Sequence, residues 1–144
     1  MLIQEILQSK GTDVVTIGPD HTVLAAMRVL VEHGIGAVVV IEGEEILGIL
    51  SERDVLRLGA SNPAELSATR VGDAMTTDLV VSVPDDDLDY VMEIMTRNRV
   101  RHLPIVHEGR LSGILSIGDV VKAVRKSVEA ENRHLKNYIQ GAAW

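Results

Sequence analysis

Gly48–Gly59 reads "GILSERDVLRLG", and Gly113–Val124 reads "GILSIGDVVKAV". The two phrases stand 65 positions apart, and that offset holds far beyond them. "PDHTVLAAMRVLVEHGIGAVVVIEGEEILGILSERDVLR" from Pro19 overlays "PDDDLDYVMEIMTRNRVRHLPIVHEGRLSGILSIGDVVK" from Pro84 without a gap. Upstream, "VVTIG" before Pro19 matches "VVSV" before Pro84 with one residue fewer. Self-similarity at a fixed period marks a repeat architecture. The chain therefore divides into a first repeat over residues 1–65, a second over 66–126, and a C-terminal helical extension over 127–144.

Each repeat spells the same element order. A short β-branched stretch (Val14 to Ile17; Leu79 to Val83) precedes Pro-Asp, a pair suited to opening a helix. Apolar residues then recur at helical spacing: Val23, Ala26, Met27, Leu30 and Val31, and Leu88, Val91, Met92 and Met95. The methionines on these faces are expected in the core. A strand ("IGAVVVI", "VRHLPIV"), a Gly-bearing turn and a second strand ("ILGILS", "LSGILS") read as a hairpin. A helix follows, starting near Asp54 or Asp119. The order is β-α-β-β-α, twice, and the class is α/β (α+β). Gly59–Thr69, rich in turn formers, reads as a linker. Val121, Val124, Val128, Leu135 and Tyr138 predict a long terminal helix that stops at Gly141. Half-units of this size bury little core alone, so the two sheets are expected to pack with pseudo-two-fold symmetry and leave two related clefts.

Composition narrows the function. The 144 residues carry a formal net charge of −7, which speaks against general nucleic-acid binding. Aromatic residues are 2%, too few for base-stacking platforms. Cysteine is absent, which removes disulfides and thiolate metal sites. No apolar run approaches the roughly 20 residues of a membrane span, and "MLIQEILQSKG" does not read as a signal peptide. A soluble cytoplasmic protein is the expectation.

The repeated phrase offers chemistry at a strand-to-helix turn. Backbone N–H groups and the positive end of a helix dipole suit a phosphate there. A Ser hydroxyl adds a hydrogen bond to phosphate or ribose, and an Asp carboxylate accepts from both hydroxyls of a ribose diol. The bland alternative is that Ser and Asp are good helix N-caps. The halves differ in charge. Arg53 precedes Asp54, whereas Gly118 precedes Asp119, and Arg101 and His102 replace Gly36 and Ala37. The clefts are thus expected to be inequivalent.

With Thr16 or Ser82 before Pro-Asp, the "IGAVVV" or "RHLPIV" strand, and "GILSERD" and "GILSIGD", the chain resembles a tandem pair of cystathionine beta-synthase (CBS) domains, or Bateman module. It looks most like small stand-alone bacterial pairs, and is similar to the CBS insert of inosine monophosphate dehydrogenase, whose catalytic barrel does not fit in this length. The resemblance implies an adenine-nucleotide ligand: AMP, ADP, ATP, NAD(H) or S-adenosylmethionine. Arg53 and Arg101 favour the phosphorylated ones. It implies that each cleft joins one half's Ser/Asp motif to strands of both halves. One cleft would combine Ser116, Ile117, Gly118 and Asp119 with Thr16, Ile17, Gly36, Ala37, Arg101 and His102. The other would combine Ser51, Arg53 and Asp54 with Ser82, Val83, His102, Leu103 and Pro104. It also implies a flat homodimer and an unidentified protein effector.

Other candidates read more plainly. His102 is either a pH-sensitive phosphate contact or a strand histidine. His21, His33, His107 and His134 lack metal-ligand spacing, and Asp85–Asp87 reads as helix capping. The basic "RNRVRH" from Arg97 fits nucleotide phosphate better than nucleic acid. No P-loop, nucleophile elbow or paired catalytic carboxylates occur, so no enzyme activity, catalytic cofactor or metal is expected. The competing function is an oligomerisation scaffold with degenerate clefts.

Overall fold

The computed structural model describes residues 1–142. Ala143 and Trp144, the end of the expected extension, lie outside the described residues. The elements run α1 (Ile3–Lys10), β1 (Thr16–Ile17), α2 (Val23–His33), β2 (Ala37–Glu42), β3 (Glu45–Ser51), α3 (Glu52–Ser61), α4 (Glu65–Ala68), α5 (Val71–Ala74), α6 (Leu88–Asn98), β4 (His102–His107), β5 (Arg110–Ser116) and α7 (Ile117–Ala142). No described helix is long and apolar enough to cross a membrane.

The repeat survives in the hydrogen-bond register. β2 and β3 pair antiparallel with Ala37 opposite Ser51, and β4 and β5 with His102 opposite Ser116. Each hairpin carries an irregularity at the same place, between Val40 and Ile41 and between Ile105 and Val106. β1 adds in parallel to β2, with Ile17 opposite Val40. In the second half a single parallel bridge, Ser82 to Ile105, does this work. Ile105 is the repeat partner of Val40, so Ser82 takes the place of Ile17. The sequence motifs align Ser82 with Thr16, but the missing residue before Pro84 shifts the register by one.

Two cores form, one against each hairpin, and they interleave along the chain. Ile17, Ala26, Leu30, Val38, Val40, Leu50 and Val71 make the first. Ile3, Ile6 and Leu7 of α1 join Leu88, Val91, Met95, Leu103, Ile105 and Leu115 in the second. The N-terminal helix thus completes the C-terminal core. α5 fills the matching role in the first core: Thr22 bridges Arg70, and its repeat partner Asp87 bridges Leu2.

Three expectations are corrected. Val31 is 82% exposed and Met92 37% exposed, because the buried stripes run Val23–Ala26–Leu30 and Leu88–Val91–Met95, one residue back around each helix. The linker is partly helical: α3 continues to Ser61 and α4 adds a turn. α7 passes through Gly141 to Ala142.

Candidate functional site

Both repeated motifs form closed Ser–Asp boxes at a helix start. Ser51 N–H donates to Asp54 Oδ2 at 2.9 Å, its hydroxyl donates to the same oxygen at 3.1 Å, and Asp54 N–H donates to Ser51 Oγ at 3.3 Å. Ser116 and Asp119 repeat this at 2.8, 3.0 and 3.2 Å. The capping reading is thus realised in both copies, since each box satisfies donors that a helix start leaves open. The next N–H groups are also taken. Glu52 donates to the Gly36 carbonyl at 2.9 Å and Ile117 to that of Arg101 at 2.8 Å. These bonds tie each helix start to the residue just before the first hairpin strand of the same repeat, beside the cleft walls.

Two clefts open beside the boxes. The cleft of Asp119 encloses about 370 Å³ and is walled by Ser116, Ile114, His102, Gly34–Ala37, Asp13–Val15 and Lys10. The cleft of Asp54 encloses about 360 Å³ and is walled by Ile49, Ser51–Asp54, Arg57, Thr76 and Asn98–His102, with Gly36. Gly36 and His102 belong to both clefts. A Cβ on Gly36 would lie 2.5 Å from Glu52 Oε1 and 3.1 Å from the His102 ring, so the partition between the clefts is one glycine thick.

The structure brings Gly36, Ala37, His102, Ser116 and Asp119 together in the first of these clefts, and Ser51, Arg53, Asp54 and His102 in the second. It does not bring Thr16, Ile17, Ile117 or Gly118 to the Asp119 cleft, nor Ser82, Val83, Leu103 or Pro104 to the Asp54 cleft. Ile17, Leu103 and Pro104 are core residues, and Ser82 is buried with its hydroxyl on Asp86 Oδ2 at 2.6 Å. Arg101, which stands just before β4, lines the cleft of Asp54 and not that of Asp119, whereas His102 lines both. Sequence reasoning missed Lys10, which α1 delivers from far away, and Arg57, Asn98 and Arg99. Arg57 stands one turn beyond Arg53 on α3, and "RNRVRH" already grouped the other two; helical spacing was the available signal.

The charges are uneven. Among the described lining residues the Asp54 cleft holds Arg53, Arg57, Arg99 and Arg101 against Glu52 and Asp54. The Asp119 cleft holds Lys10, whose ammonium donates to Asp119 Oδ2 at 2.5 Å and to the Ile114 carbonyl. Burial is the largest influence on Asp119 and raises its pKa; the hydrogen bonds from Lys10 and Ser116 and the Lys10 charge outweigh it, and the carboxyl lies below its ordinary value. Burial lowers the pKa of His102. Glu52 and Asp119 oppose that shift and Lys10 and Arg101 reinforce it, leaving the imidazole below its ordinary value.

Comparison with known proteins follows the same lines. The family model for the CBS domain matches residues 4–61 and 71–126. The chain is 35% identical to the mitochondrial CBS domain-containing protein CBSX3 of Arabidopsis thaliana, over 96% of this chain and 72% of that one. It is 37% identical to an inosine-5'-monophosphate dehydrogenase of Methanocaldococcus jannaschii over 76% of this chain but only 21% of that enzyme. Among solved structures, the CBS-domain containing protein ATU1752 from Agrobacterium tumefaciens superposes with a TM-score of 0.82 at 44% identity, covering 85% of this chain and 98% of that one. The CBS domain pair of protein MJ0100, solved with 5-methylthioadenosine and S-adenosyl-L-methionine, superposes at 0.77 with 18% identity, covering 88% of this chain and 98% of that one, and is alike in fold alone.

Proposed function

The chain belongs to the CBS-domain family as a tandem pair, a regulatory module, and from that membership we propose that it binds an adenine nucleotide of the AMP/ADP/ATP or NAD(H) class and passes the binding event to a protein effector. The observation that carries this reading is the duplicated Ser–Asp box, each copy holding a carboxylate rigidly at the wall of a cleft of ligand size. Asp54 and Asp119 act as ribose acceptors in it. Asp119 Oδ2 already takes Lys10 and Ser116, which leaves Oδ1 for the ribose. The MJ0100 complex supports the ligand class, because it shows adenosine-bearing molecules held by this fold. Arginines favour phosphorylated ligands over S-adenosylmethionine. The match to a dehydrogenase covers a minor part of that enzyme, in keeping with regulation rather than catalysis. The setting proposed is cytoplasmic.

Signalling requires that the ligand prefer one of two arrangements. The partition at Gly36 and His102 is where such a preference arises, since both clefts press on it. Calorimetric titration of the purified protein with each nucleotide tests the reading. Saturable binding that weakens about tenfold or more in Asp54→Ala or Asp119→Ala supports it; absence of binding by all of them at millimolar concentration removes it.

One observation favours the scaffold reading as a second function. Val121, Val128, Leu135, Tyr138 and Ile139 on α7 are 49–70% exposed, and the first three recur at intervals of seven. That stripe suits a homodimer contact. Light scattering on wild type and Val128→Glu/Leu135→Glu reads it directly: a wild-type dimer that becomes monomeric supports it, and a monomeric wild type does not.

A further inference from the structure

Positions 65 apart are equivalent in the two halves, so the chain supplies its own comparison. At the end of α2, Gly34 takes the left-handed conformation (φ 62°, ψ 39°), and its N–H donates to Leu30 and Val31 carbonyls. At the end of α6, Arg99 takes the same conformation (φ 54°, ψ 40°) and donates to Met95 and Thr96. Glycine adopts this backbone freely, whereas a side chain with a Cβ is strained in it. The helix end is built for glycine, and one half has replaced it with arginine.

The replacement is repeated around one cleft. Arg101 stands where the other half has Gly36, and Arg53 stands where the other half has Gly118. All three face the cleft of Asp54, with Arg57 as a fourth. The ion-paired arginines of the described residues are Arg70, Arg97, Arg110 and Arg125, and none of the four belongs to them. Four guanidiniums, none of them ion-paired, outnumber the carboxylates of Glu52 and Asp54 around about 360 Å³, and this excess of positive charge attracts a multiply charged anion. The cleft of Asp119 has Gly34 and Gly36 in the corresponding places, and its Lys10 is already bound to Asp119.

Strain alone does not mark a site. Glu108 (φ 52°) is the other described non-glycine residue with positive φ, in the β4–β5 turn, where the first half has Gly43 (φ 62°). It lines neither cleft. What distinguishes Arg99 is its convergence with three further arginines.

We infer that the cleft of Asp54 is a subsite for a polyphosphate chain of two or more linked phosphates, and that Arg99 sets this preference at a cost in backbone strain. The cleft of Asp119 then takes adenosine-type ligands of low charge. This rests on the nucleotide reading for its adenine end, and on the arginines alone for its phosphate end.

The experiment is calorimetric titration with adenosine, AMP, ADP, ATP and inorganic tripolyphosphate, together with thermal melts, on wild type, Arg99→Gly, Arg99→Asn and Glu108→Gly. Asparagine tolerates the left-handed backbone while removing the charge. Wild-type affinity is expected to rise from AMP through ADP to ATP. Arg99→Gly and Arg99→Asn lose about tenfold or more in affinity for ATP and tripolyphosphate, keep adenosine binding within about twofold, and melt at or above the wild-type temperature. Glu108→Gly melts at or above wild type and binds everything unchanged. Affinity independent of phosphate number, or ATP and tripolyphosphate binding unchanged in both Arg99 variants, overturns the inference, as does an Arg99 variant pair that melts well below wild type. Tripolyphosphate binding without adenine-nucleotide binding leaves the phosphate subsite standing and removes the nucleotide reading. Adenosine binding without preference for added phosphates does the reverse.

Discussion

Lys10 Nζ lies 2.5 Å from Asp119 Oδ2, across 109 residues of sequence. The same ammonium donates to the carbonyl of Ile114. In the first half the matching residue, Ile49, exchanges backbone hydrogen bonds of 3.0 and 2.8 Å with Thr76, whose hydroxyl in turn reaches Asp54 Oδ1 at 3.3 Å. A lysine side chain from the N-terminal helix therefore does in one cleft what a strand-like backbone pair does in the other. It ties α1, a wall of the second core, to the carboxylate proposed to hold ribose.

Lys10→Met is expected to destabilise the protein by about 1 kcal/mol at pH 7, the scale of a charge-assisted bond that is partly screened. The side chains are 29% and 22% exposed, so screening is incomplete. The Asp119 pKa is depressed in the fold. Its contribution is therefore fully present above the unfolded carboxyl value of about 3.9 and is lost as pH falls through the lower folded value. Denaturant titrations of both proteins should diverge at neutral pH and converge near pH 2. Parallel curves across the whole range would show that the pair contributes nothing through Asp119 ionisation.

His102 has the opposite charge type and the same direction of shift. The fold favours the neutral ring, so this contribution is present above about pH 6.5 and is lost as pH falls through the folded pKa. A phosphate entering either cleft adds negative charge beside the ring and raises its pKa, so binding takes up protons near pH 6. Titrations with ATP at pH 6 in two buffers of different ionisation enthalpy give the net proton count, to which the ligand phosphate contributes with its own pKa of about 6, and His102→Gln should lower the uptake by the ring's share. A proton count that is the same in His102→Gln as in the wild type would place the phosphate away from His102.

The glycines that open the two repeated phrases are not equally replaceable. A Cβ on Gly48 would lie 2.6 Å from the Thr76 carbonyl oxygen, a backbone atom. A Cβ on Gly113 would lie 2.8 Å from Leu7 Cδ2, the end of a flexible side chain. Gly48→Ala is expected to cost about 2–3 kcal/mol and Gly113→Ala about 1 kcal/mol. Thermal melts compare them, and equal losses would mean that the Thr76 segment yields as readily as a leucine rotamer.

How much of this was legible in the sequence follows from where each signal is stored. The 65-residue offset carried the element order, the hairpins and both Ser–Asp boxes, because the repeat is colinear. Arg53 and Asp54 were found because a motif and its neighbour share one helix turn. Lys10 escaped because α1 packs on the far half of the chain, a choice made by tertiary packing of Ile3, Ile6 and Leu7. Ser82 misled because the missing residue before Pro84 moves it into the register of the core residue Ile17, and Thr16 misled by one position, since Val15 lines the Asp119 cleft and Thr16 does not. The Arg99–Gly34 contrast was visible in the alignment, but its meaning depends on a left-handed helix end that sequence spacing does not display.

The interleaved cores make a direct prediction. Ile3→Ala is expected to cost about 2–5 kcal/mol, the loss of a fully buried isoleucine in the second core, although the residue stands 85 positions before Leu88. Hydrogen exchange should show the protection loss in β4 and β5 ahead of β2 and β3. Loss confined to β2 and β3 would reverse the assignment of α1.

Whether the Ser–Asp clefts hold adenine nucleotide is decided by calorimetric titration of the purified, ligand-stripped protein with ATP, repeated on Asp54→Ala. The expected result is saturable binding in the wild type that weakens about tenfold or more in the variant while its melting temperature stays within a few degrees. ATP affinity that is the same in Asp54→Ala as in the wild type, or no heat from wild type at millimolar ATP, would contradict it.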